Sequence, residues 1–210
     1  MAGLSRSALL TIDVQGDFYE RDAPAQVEGT RERLPEMQNV VQAFRSTGRP
    51  IVHVVRLYLA DGSNAEPVRR PLLTTTPVVR PGTAGSQVAP ELLPKDARQL
   101  DSDLLLAGEF QSVGPSEWVM YKPRWGAFYG TRLEDLLRHL AVDTVVLVGC
   151  NFPNCPRTTL YEASERDFDA VLVSDAVSGT YERGLREVCA IGAMVMTGSE
   201  VSDLVMQPCL

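Results

Sequence analysis

Histidines, closely spaced cysteines and long apolar runs are scarce in this chain of 210 residues. It has two histidines and four cysteines, and no pair of cysteines has C-x-x-C spacing. We therefore expect neither a metal site nor a disulfide framework. No stretch approaches the ~18 consecutive apolar residues of a membrane span. The opening MAGLSRSALLTIDVQGDF lacks the pattern of a signal peptide, so we predict a cytoplasmic protein that uses no cofactor.

An excess of basic residues is also missing. The formal net charge is −7 and the isoelectric point is about 4.9. Nucleic acids and acidic membranes attract basic surfaces, so we expect neither as a partner. Hydrophobic residues make up 44% of the chain and charged residues 22%, which is ordinary for a globular protein. The length suffices for a sizeable core, and we predict one domain over residues 1–210.

Short apolar runs alternate with helical patterns along most of the chain. Strands are predicted at 7–12, 50–56, 117–122, 144–148, 170–174 and 194–196, before a final turn. Helices are predicted near 29–47, 131–140, 155–166 and 182–191. This alternation predicts an α/β fold, a three-layer, doubly wound, mostly parallel sheet with helices on both faces. Residues 57–116 carry only one short helical turn, near 90–94, and are interpreted as a functional segment or a surface insert.

Asp13, Lys122 and Cys155 each stand at or just beyond the end of a predicted strand. Ligands of such sheets bind beyond the carboxyl ends of the strands, so we expect these side chains to converge. A cysteine attacks as a thiolate, which a helix N-terminus and a nearby ammonium group both favour. Cys155 begins a predicted helix, Lys122 would supply the ammonium, and Asp13 would hold the lysine and accept protons.

Each of these residues also has an ordinary interpretation. A cysteine at a strand–helix junction is commonly a small, buried apolar residue. An aspartate after a strand is commonly a turn residue, and a lysine there is commonly solvated. We give Cys150, Cys189 and Cys209 the ordinary interpretation, and we expect His53, inside an apolar strand, to be a hydrogen-bonded core residue. We favour a catalytic role for Asp13, Lys122 and Cys155 because the predicted fold brings their side chains together.

Three segments resemble those of the isochorismatase-like cysteine hydrolases, a superfamily that includes nicotinamidases and N-carbamoylsarcosine amidohydrolases. They are LLTIDVQGDF, with its D-x-Q-x-x-F pattern, YKPRWGAFYGTRLEDLLRHLAVDTVVLVGCNFPNCPRTT, and VLVSDAVSG. Together they follow the family's order over nearly the whole chain. The resemblance implies a hydrolase of this α/β fold that acts on a small molecule and forms a homodimer or homotetramer.

The resemblance also implies roles for individual residues. Asp13 matches the family's general base, Lys122 its catalytic lysine and Cys155 its nucleophile. A cis peptide bond is implied between Cys150 and Asn151, with an oxyanion hole formed by the N–H groups of Asn151 and Cys155. The implied pocket residues, whose aromatic members could equally be core residues, are Gln15, Phe18, Trp125 and Phe128.

One part of the sequence departs from the family pattern. Nicotinamidases of the superfamily bind a metal through an aspartate and two histidines placed after the second strand. The corresponding stretch here, RLYLADGSNAEPVRR, contains no histidine. We therefore expect neither a metal nor nicotinamide as substrate.

The sequence thus predicts a cysteine hydrolase that cleaves a C–N bond of a small amide, ureide or lactam through a thioester. Three other functions stay open. One is an isochorismate-type vinyl ether hydrolase, which would not need Cys155, and another is a catalytically silent binding partner. The third is a thiol redox protein, although no second cysteine is suitably close in sequence. Six arginines are possible contacts for a substrate anion, although most are expected to be solvated: Arg56, Arg69, Arg70, Arg80, Arg124 and Arg157.

Overall fold

The computed structural model describes residues 4–207, apart from the side chain of Thr74, so Cys209 lies outside the described residues. Within this range, strands form one sheet in the order β3-β4-β2-β1-β5-β6-β7. Every neighbouring pair is parallel except β3 with β4. The strands are β1 (Ser7–Ile12), β2 (Ile51–Val55), β3 (Gln111–Gly114), β4 (Glu117–Tyr121), β5 (Thr144–Gly149), β6 (Asp169–Val177) and β7 (Met194–Met196).

Helices connect the strands and cover both faces of the sheet. None within residues 4–207 is long and apolar enough to cross a bilayer. They are α1 (Gly16–Tyr19), α2 (Thr30–Ser46), α3 (Arg70–Thr75), α4 (Ser102–Leu106), α5 (Leu133–His139), α6 (Cys155–Ser164), α7 (Glu182–Ala190) and α8 (Gly198–Met206). Short 3₁₀ turns lie at Leu4–Arg6, Ala84–Ser86 and Pro90–Leu92.

The core has two halves, one on each face of the sheet, because successive strand residues point in opposite directions. On β1, Leu9 packs in a cluster that includes residues of α2 and α8. Its neighbour Leu10 packs in a second cluster, with residues of α5, α6 and α7. Both leucines are fully buried. The predicted three-layer, mostly parallel α/β fold is therefore confirmed.

Two regions differ from the sequence-based prediction. The C-terminal segment is the helix α8, not a turn. Its start carries a capping box in which Thr197 and Glu200 satisfy each other's backbone N–H groups. The stretch 57–116, predicted to be irregular, contains α3, α4 and the antiparallel edge strand β3. Of the remaining turns and loops, the part just after β2 supplies Tyr58 and Arg69 to the cavity at the carboxyl edge, whereas Leu92 and Leu100 pack in the core cluster that contains α2.

A topological switch point lies between β1 and β5. The chain leaves β1 toward β2 on one side and later returns to pair β5 on the other side of β1. Such a point opens a crevice beyond the strand ends, where ligands bind in this class of fold. Gly149 ends β5 there with φ of +122°, and a Cβ on it would lie 2.2 Å from the carbonyl oxygen of Ile12. Glycine therefore lets these two strand ends approach closely.

A buried network of polar side chains connects β1, β2, β4 and α2. His53 is fully buried, with Nδ1 2.8 Å from Thr11 Oγ1 and Nε2 2.8 Å from Glu117 Oε1. Arg45 donates to both oxygens of Glu117, at 2.9 and 2.7 Å. The expectation that His53 is a hydrogen-bonded core residue is confirmed.

Candidate active site

The side chains of Asp13, Lys122 and Cys155 lie in contact beyond the strand ends. Lys122 Nζ is 2.9 Å from Asp13 Oδ2 and 3.3 Å from Cys155 Sγ. The same ammonium donates to the carbonyl oxygen of Arg124 at 3.2 Å. All three residues are buried, with relative exposures of 4%, 1% and 8%. The structure thus brings together a carboxylate, an ammonium and a thiol that are far apart in the sequence.

Each of the three side chains is positioned by the end of a secondary-structure element. Asp13 follows β1 with φ of +53°, a left-handed conformation that aspartate tolerates better than most residues. Its N–H donates to Val54 on β2, and the N–H of Lys122 donates to Val55 on the same strand. Cys155 is the first residue of α6. The following proline, Pro156, lies in the first turn, where its missing N–H removes no helical hydrogen bond.

The charge state of this group differs from the sequence-based expectation. Burial, followed by the negative charge of Asp13, raises the pKa of Cys155 to about 12, and Lys122 only partly opposes this. The cysteine is therefore a neutral thiol near pH 7 in the free protein. Lys122 does act to lower the pKa of this thiol, as expected, but the expected net lowering is wrong, because burial and the Asp13 carboxylate outweigh the lysine.

Lys122 keeps its charge although it is buried. Burial acts against the ammonium, but the negative charge of Asp13 raises the pKa of Lys122 above its ordinary value. The other carboxylate oxygen, Asp13 Oδ1, is buried and has no hydrogen-bond partner within residues 4–207. One oxygen of the carboxylate is therefore paired with the lysine, while the other is free to accept a proton.

Among the described residues, the loop before Cys155 leaves two backbone N–H groups unpaired in residues that line the cavity. The peptide bond between Cys150 and Asn151 is cis, as the resemblance implied. Within residues 4–207, the N–H groups of Asn151 and Cys155 donate to no protein acceptor, whereas the intervening Phe152 donates to Ser178. Two free N–H groups beside a nucleophilic atom are what an oxyanion site requires.

A cavity of about 300 Å³ opens over the three side chains. Two predicted pocket residues, Phe18 and Trp125, line it together with Asn151. Two others do not. Gln15 is fully buried behind the site, where Nε2 donates to the carbonyls of Arg56 and Ser86 and Oε1 accepts the N–H of Arg56.

Phe128 also lies away from the cavity. Its ring centroid is 5.8 Å from that of Phe168, within the core cluster that contains α5 and α6. Gln15 and Phe128 were predicted to be pocket residues, but neither lines the cavity. Gln15 holds the strand ends together, and Phe128 is a core residue.

Two residues that line the cavity, Tyr58 and Leu72, were not candidates in the sequence-based prediction, and two arginines were only unranked ones. Tyr58, Arg69 and Leu72 reach it from the stretch after β2, and Arg56 does so from the end of that strand. Both arginines were among six candidates without any signal to rank them. Only the packing of the loops over the sheet edge separates these two from Arg70, which is exposed.

Comparison with known proteins identifies the family of this chain. The family model described as the isochorismatase domain matches residues 7–204. The chain belongs to the isochorismatase family. It is 30% identical over 176 residues to a probable inactive nicotinamidase of Arabidopsis thaliana, covering 82% of this chain and 80% of that protein. It is 27% identical over 178 residues to a maleamate amidohydrolase of Pseudomonas putida, covering 82% and 72%.

A solved structure of the family has the same fold. The crystal structure of an isochorismatase family protein from Desulfovibrio vulgaris superimposes with a TM-score of 0.81 at 31% identity, covering 96% of this chain and 99% of that one. The family resemblance inferred from the sequence is thus confirmed, and the chain is an isochorismatase-family hydrolase. Relatives in the family include proteins named N-carbamoylsarcosine amidase and maleamate amidohydrolase.

The metal that the resemblance associates with nicotinamidases does not fit the residues at this site. Within residues 4–207, no three or more histidine, cysteine, aspartate or glutamate side chains are grouped so as to hold a metal ion. The corresponding part of the cavity wall carries the guanidinium groups of Arg56 and Arg69. Two cations would repel a divalent metal at that position, where a metal site would place carboxylate and imidazole ligands.

Proposed function

We propose that this isochorismatase-family protein hydrolyses a C–N bond of a small amide, ureide or lactam through a thioester on Cys155. The observation that carries the proposal is the contact of Lys122 Nζ with both Asp13 Oδ2 and Cys155 Sγ, at 2.9 and 3.3 Å, inside a cavity. A nucleophile, a base and a cation in contact form the arrangement that nucleophilic catalysis needs. The cavity, of about 300 Å³, suits a small substrate.

In the first step, the thiol proton of Cys155 moves to Asp13 as the sulfur attacks the substrate carbonyl carbon. The raised pKa of the thiol makes this transfer part of the attack, since no standing thiolate is present near neutral pH. Lys122 stabilises the developing thiolate and stays protonated throughout. The carbonyl oxygen becomes an oxyanion that accepts hydrogen bonds from the N–H groups of Asn151 and Cys155, each contributing roughly 3 kcal/mol.

In the second step, the protonated Asp13 gives its proton to the leaving nitrogen as the C–N bond breaks. Ammonia or an amine departs, or in a lactam the new amine stays attached to the acyl chain, and the acyl group remains on Cys155 as a thioester. Asp13 then takes a proton from a water molecule, which attacks the thioester carbonyl. The C–S bond breaks, the acid product leaves, and the proton on Asp13 returns to the sulfur.

A second function, that of a catalytically silent binding protein, is favoured by one observation. The thiol is protonated near neutral pH because burial and Asp13 raise the pKa of Cys155, and a neutral thiol is a weak nucleophile. A hydrolase and a silent binding protein would both bind a small molecule in this cavity, but only the hydrolase would convert it to product. Slow alkylation of Cys155 by iodoacetamide would fit both, so turnover alone separates them.

The test is a hydrolysis screen of the wild-type protein, with ammonia release measured for small primary amides and ureides and the ring-opened amino acid measured for lactams. We expect at least one substrate, and we expect Cys155→Ala to lower its turnover to the background rate. Cys189→Ala is the control, since Cys189 is a free, exposed cysteine on α7 that does not line the cavity. Turnover that persists unchanged in Cys155→Ala would exclude the thioester route, and no turnover of any compound would favour the silent member.

A further inference from the structure

Arg69 is a cavity-lining cation that has no carboxylate partner among the residues the structure describes. Its side chain lines the cavity over the catalytic group, and it is only partly exposed. Its Nε is buried and makes no hydrogen bond within residues 4–207. Its guanidinium carbon lies 5.1 Å from the ring centroid of Trp125, which lines the same cavity.

The other charges of the cavity wall are already balanced. Asp13 and Lys122 pair with each other at 2.9 Å. Arg56 Nη2 lies 3.0 Å from Glu66 Oε2, and its Nη1 donates to the carbonyl oxygen of Lys122 at 2.8 Å. Among the charged residues that line the cavity, Arg69 is therefore the one whose charge no neighbouring side chain neutralises. The cavity as a whole carries an excess of one positive charge.

From this imbalance we propose that Arg69 binds the carboxylate of the substrate, so that the preferred substrates are small amides or ureides that carry a carboxylate. The inference rests on the proposed function for the chemistry but adds the substrate class and its anchoring residue. A guanidinium presents N–H groups in a planar fork that matches a carboxylate. The ring of Trp125 supports one side of the arginine and leaves the edges of the fork available.

Arg69 and Cys155 would bind opposite ends of the substrate. Arg69 precedes α3, on the segment that follows β2, whereas Cys155 begins α6 on the other side of the switch point. A substrate with a carboxylate at one end and a carboxamide at the other would be held at both. Without the anionic end, Arg69 would face the bound ligand as an uncompensated charge, which disfavours neutral amides.

The experiment uses pairs of compounds that differ only in charge. Succinamate is paired with its uncharged isostere 4-oxopentanamide, and N-carbamoylglycine with N-(2-oxopropyl)urea. Ammonia release is measured for wild type, Arg69→Met, Arg69→Lys and the control Arg70→Met, since Arg70 is the exposed neighbouring arginine. In parallel, binding of succinate, which has the carboxylates but no bond to cleave, is measured by calorimetry.

We expect wild type to prefer the anionic member of a pair, and Arg69→Met to lower kcat/KM for that member by about 10- to 100-fold, the usual effect of losing a charged hydrogen bond. The neutral member should change less than threefold, Arg69→Lys should restore part of the preference, and Arg70→Met should act as wild type. Equal turnover of both members by wild type would overturn the proposal. So would an equal loss for both members in Arg69→Met, which would indicate a structural role.

The succinate measurement keeps this inference separate from the proposed function. If no compound is cleaved, the hydrolase proposal fails, and binding alone decides the role of Arg69. Weakening of succinate binding by about tenfold or more in Arg69→Met, with normal binding in Arg70→Met, supports the anchor. Unchanged binding in Arg69→Met, or no binding to wild type, overturns it.

Discussion

Replacing Lys122 by methionine removes the ammonium between Asp13 and Cys155 while keeping most of the side-chain length. The side chains of Lys122 and Asp13 are 1% and 6% exposed, so solvent cannot replace the lost partner. Lys122 is also the one cation paired with this carboxylate within residues 4–207, and Asp13 Oδ1 has no hydrogen-bond partner there. The variant would therefore bury an unpaired negative charge.

The size of the effect follows from that burial. Removing one partner of a buried ion pair costs about 3–5 kcal/mol of the free energy of unfolding. Removing both charges, in the double variant Asp13→Asn with Lys122→Met, leaves no unpaired charge. We therefore expect the double variant to be about 1–3 kcal/mol more stable than the sum of the two single effects predicts.

The assay is urea unfolding of wild type, both single variants and the double variant, analysed by linear extrapolation. Arg132→Met is the matched control, because Arg132 pairs with Glu109 at the surface, where both side chains are about half exposed. An exposed pair contributes about 0–1 kcal/mol. Two results would refute the description of Asp13 and Lys122 as a buried ion pair. One is a loss of less than about 1 kcal/mol in the free energy of unfolding of Lys122→Met, and the other is strict additivity of the two single effects.

Two further predictions concern charge and pH. Asp13→Asn should abolish hydrolysis yet speed iodoacetamide labelling of Cys155 near pH 8, because it removes the charge that raises the pKa of the thiol and leaves Lys122 to lower it. Labelling no faster than in wild type would contradict this. Burial acts to raise the pKa of Glu117, but its histidine and arginine partners lower it below the usual value. That stabilisation is present above the pKa of the unfolded carboxyl, about 4.3, and is lost as the pH falls through the lower folded value. The Tm difference between wild type and Glu117→Gln should therefore shrink from pH 6 to pH 3, and a constant difference would be contrary evidence.

The sheet and the residues at its carboxyl edge could be predicted from sequence because their signals are local. Continuous apolar runs such as Thr144–Gly149 are typical of strands buried on both faces. Asp13, Lys122 and Cys155 could then be placed near one another, since parallel strands end at the same edge. The family motifs pointed to the same three residues.

Other features depended on contacts that no local pattern reports. The strand β3 is a four-residue segment, QSVG, with one apolar side chain. It lies at the edge of the sheet, where it pairs with β4. The helix α8 did leave a signal, the capping-box spacing of Thr197 and Glu200, which the sequence reasoning overlooked. The orientation of Arg69 toward the cavity depends on how the loops after β2 fold over the sheet edge.

The pKa of the thiol was missed for a different reason. The sequence indicated the correct neighbours of Cys155, namely a helix start, a lysine and an aspartate. It could not indicate how deeply the sulfur is buried, or that the carboxylate would outweigh the ammonium. The balance of opposing electrostatic effects depends on distances of a few ångströms, which only the folded structure supplies.

The most direct measurement of the central claim is the mass of the protein quenched in acid during turnover of an amide that releases ammonia. We predict an increase equal to the acyl fragment of the substrate, located on the peptide that contains Cys155, and no such increase in Cys155→Ala. Turnover without a covalent adduct, together with undiminished turnover by Cys155→Ala, would contradict a mechanism in which this sulfur attacks the substrate.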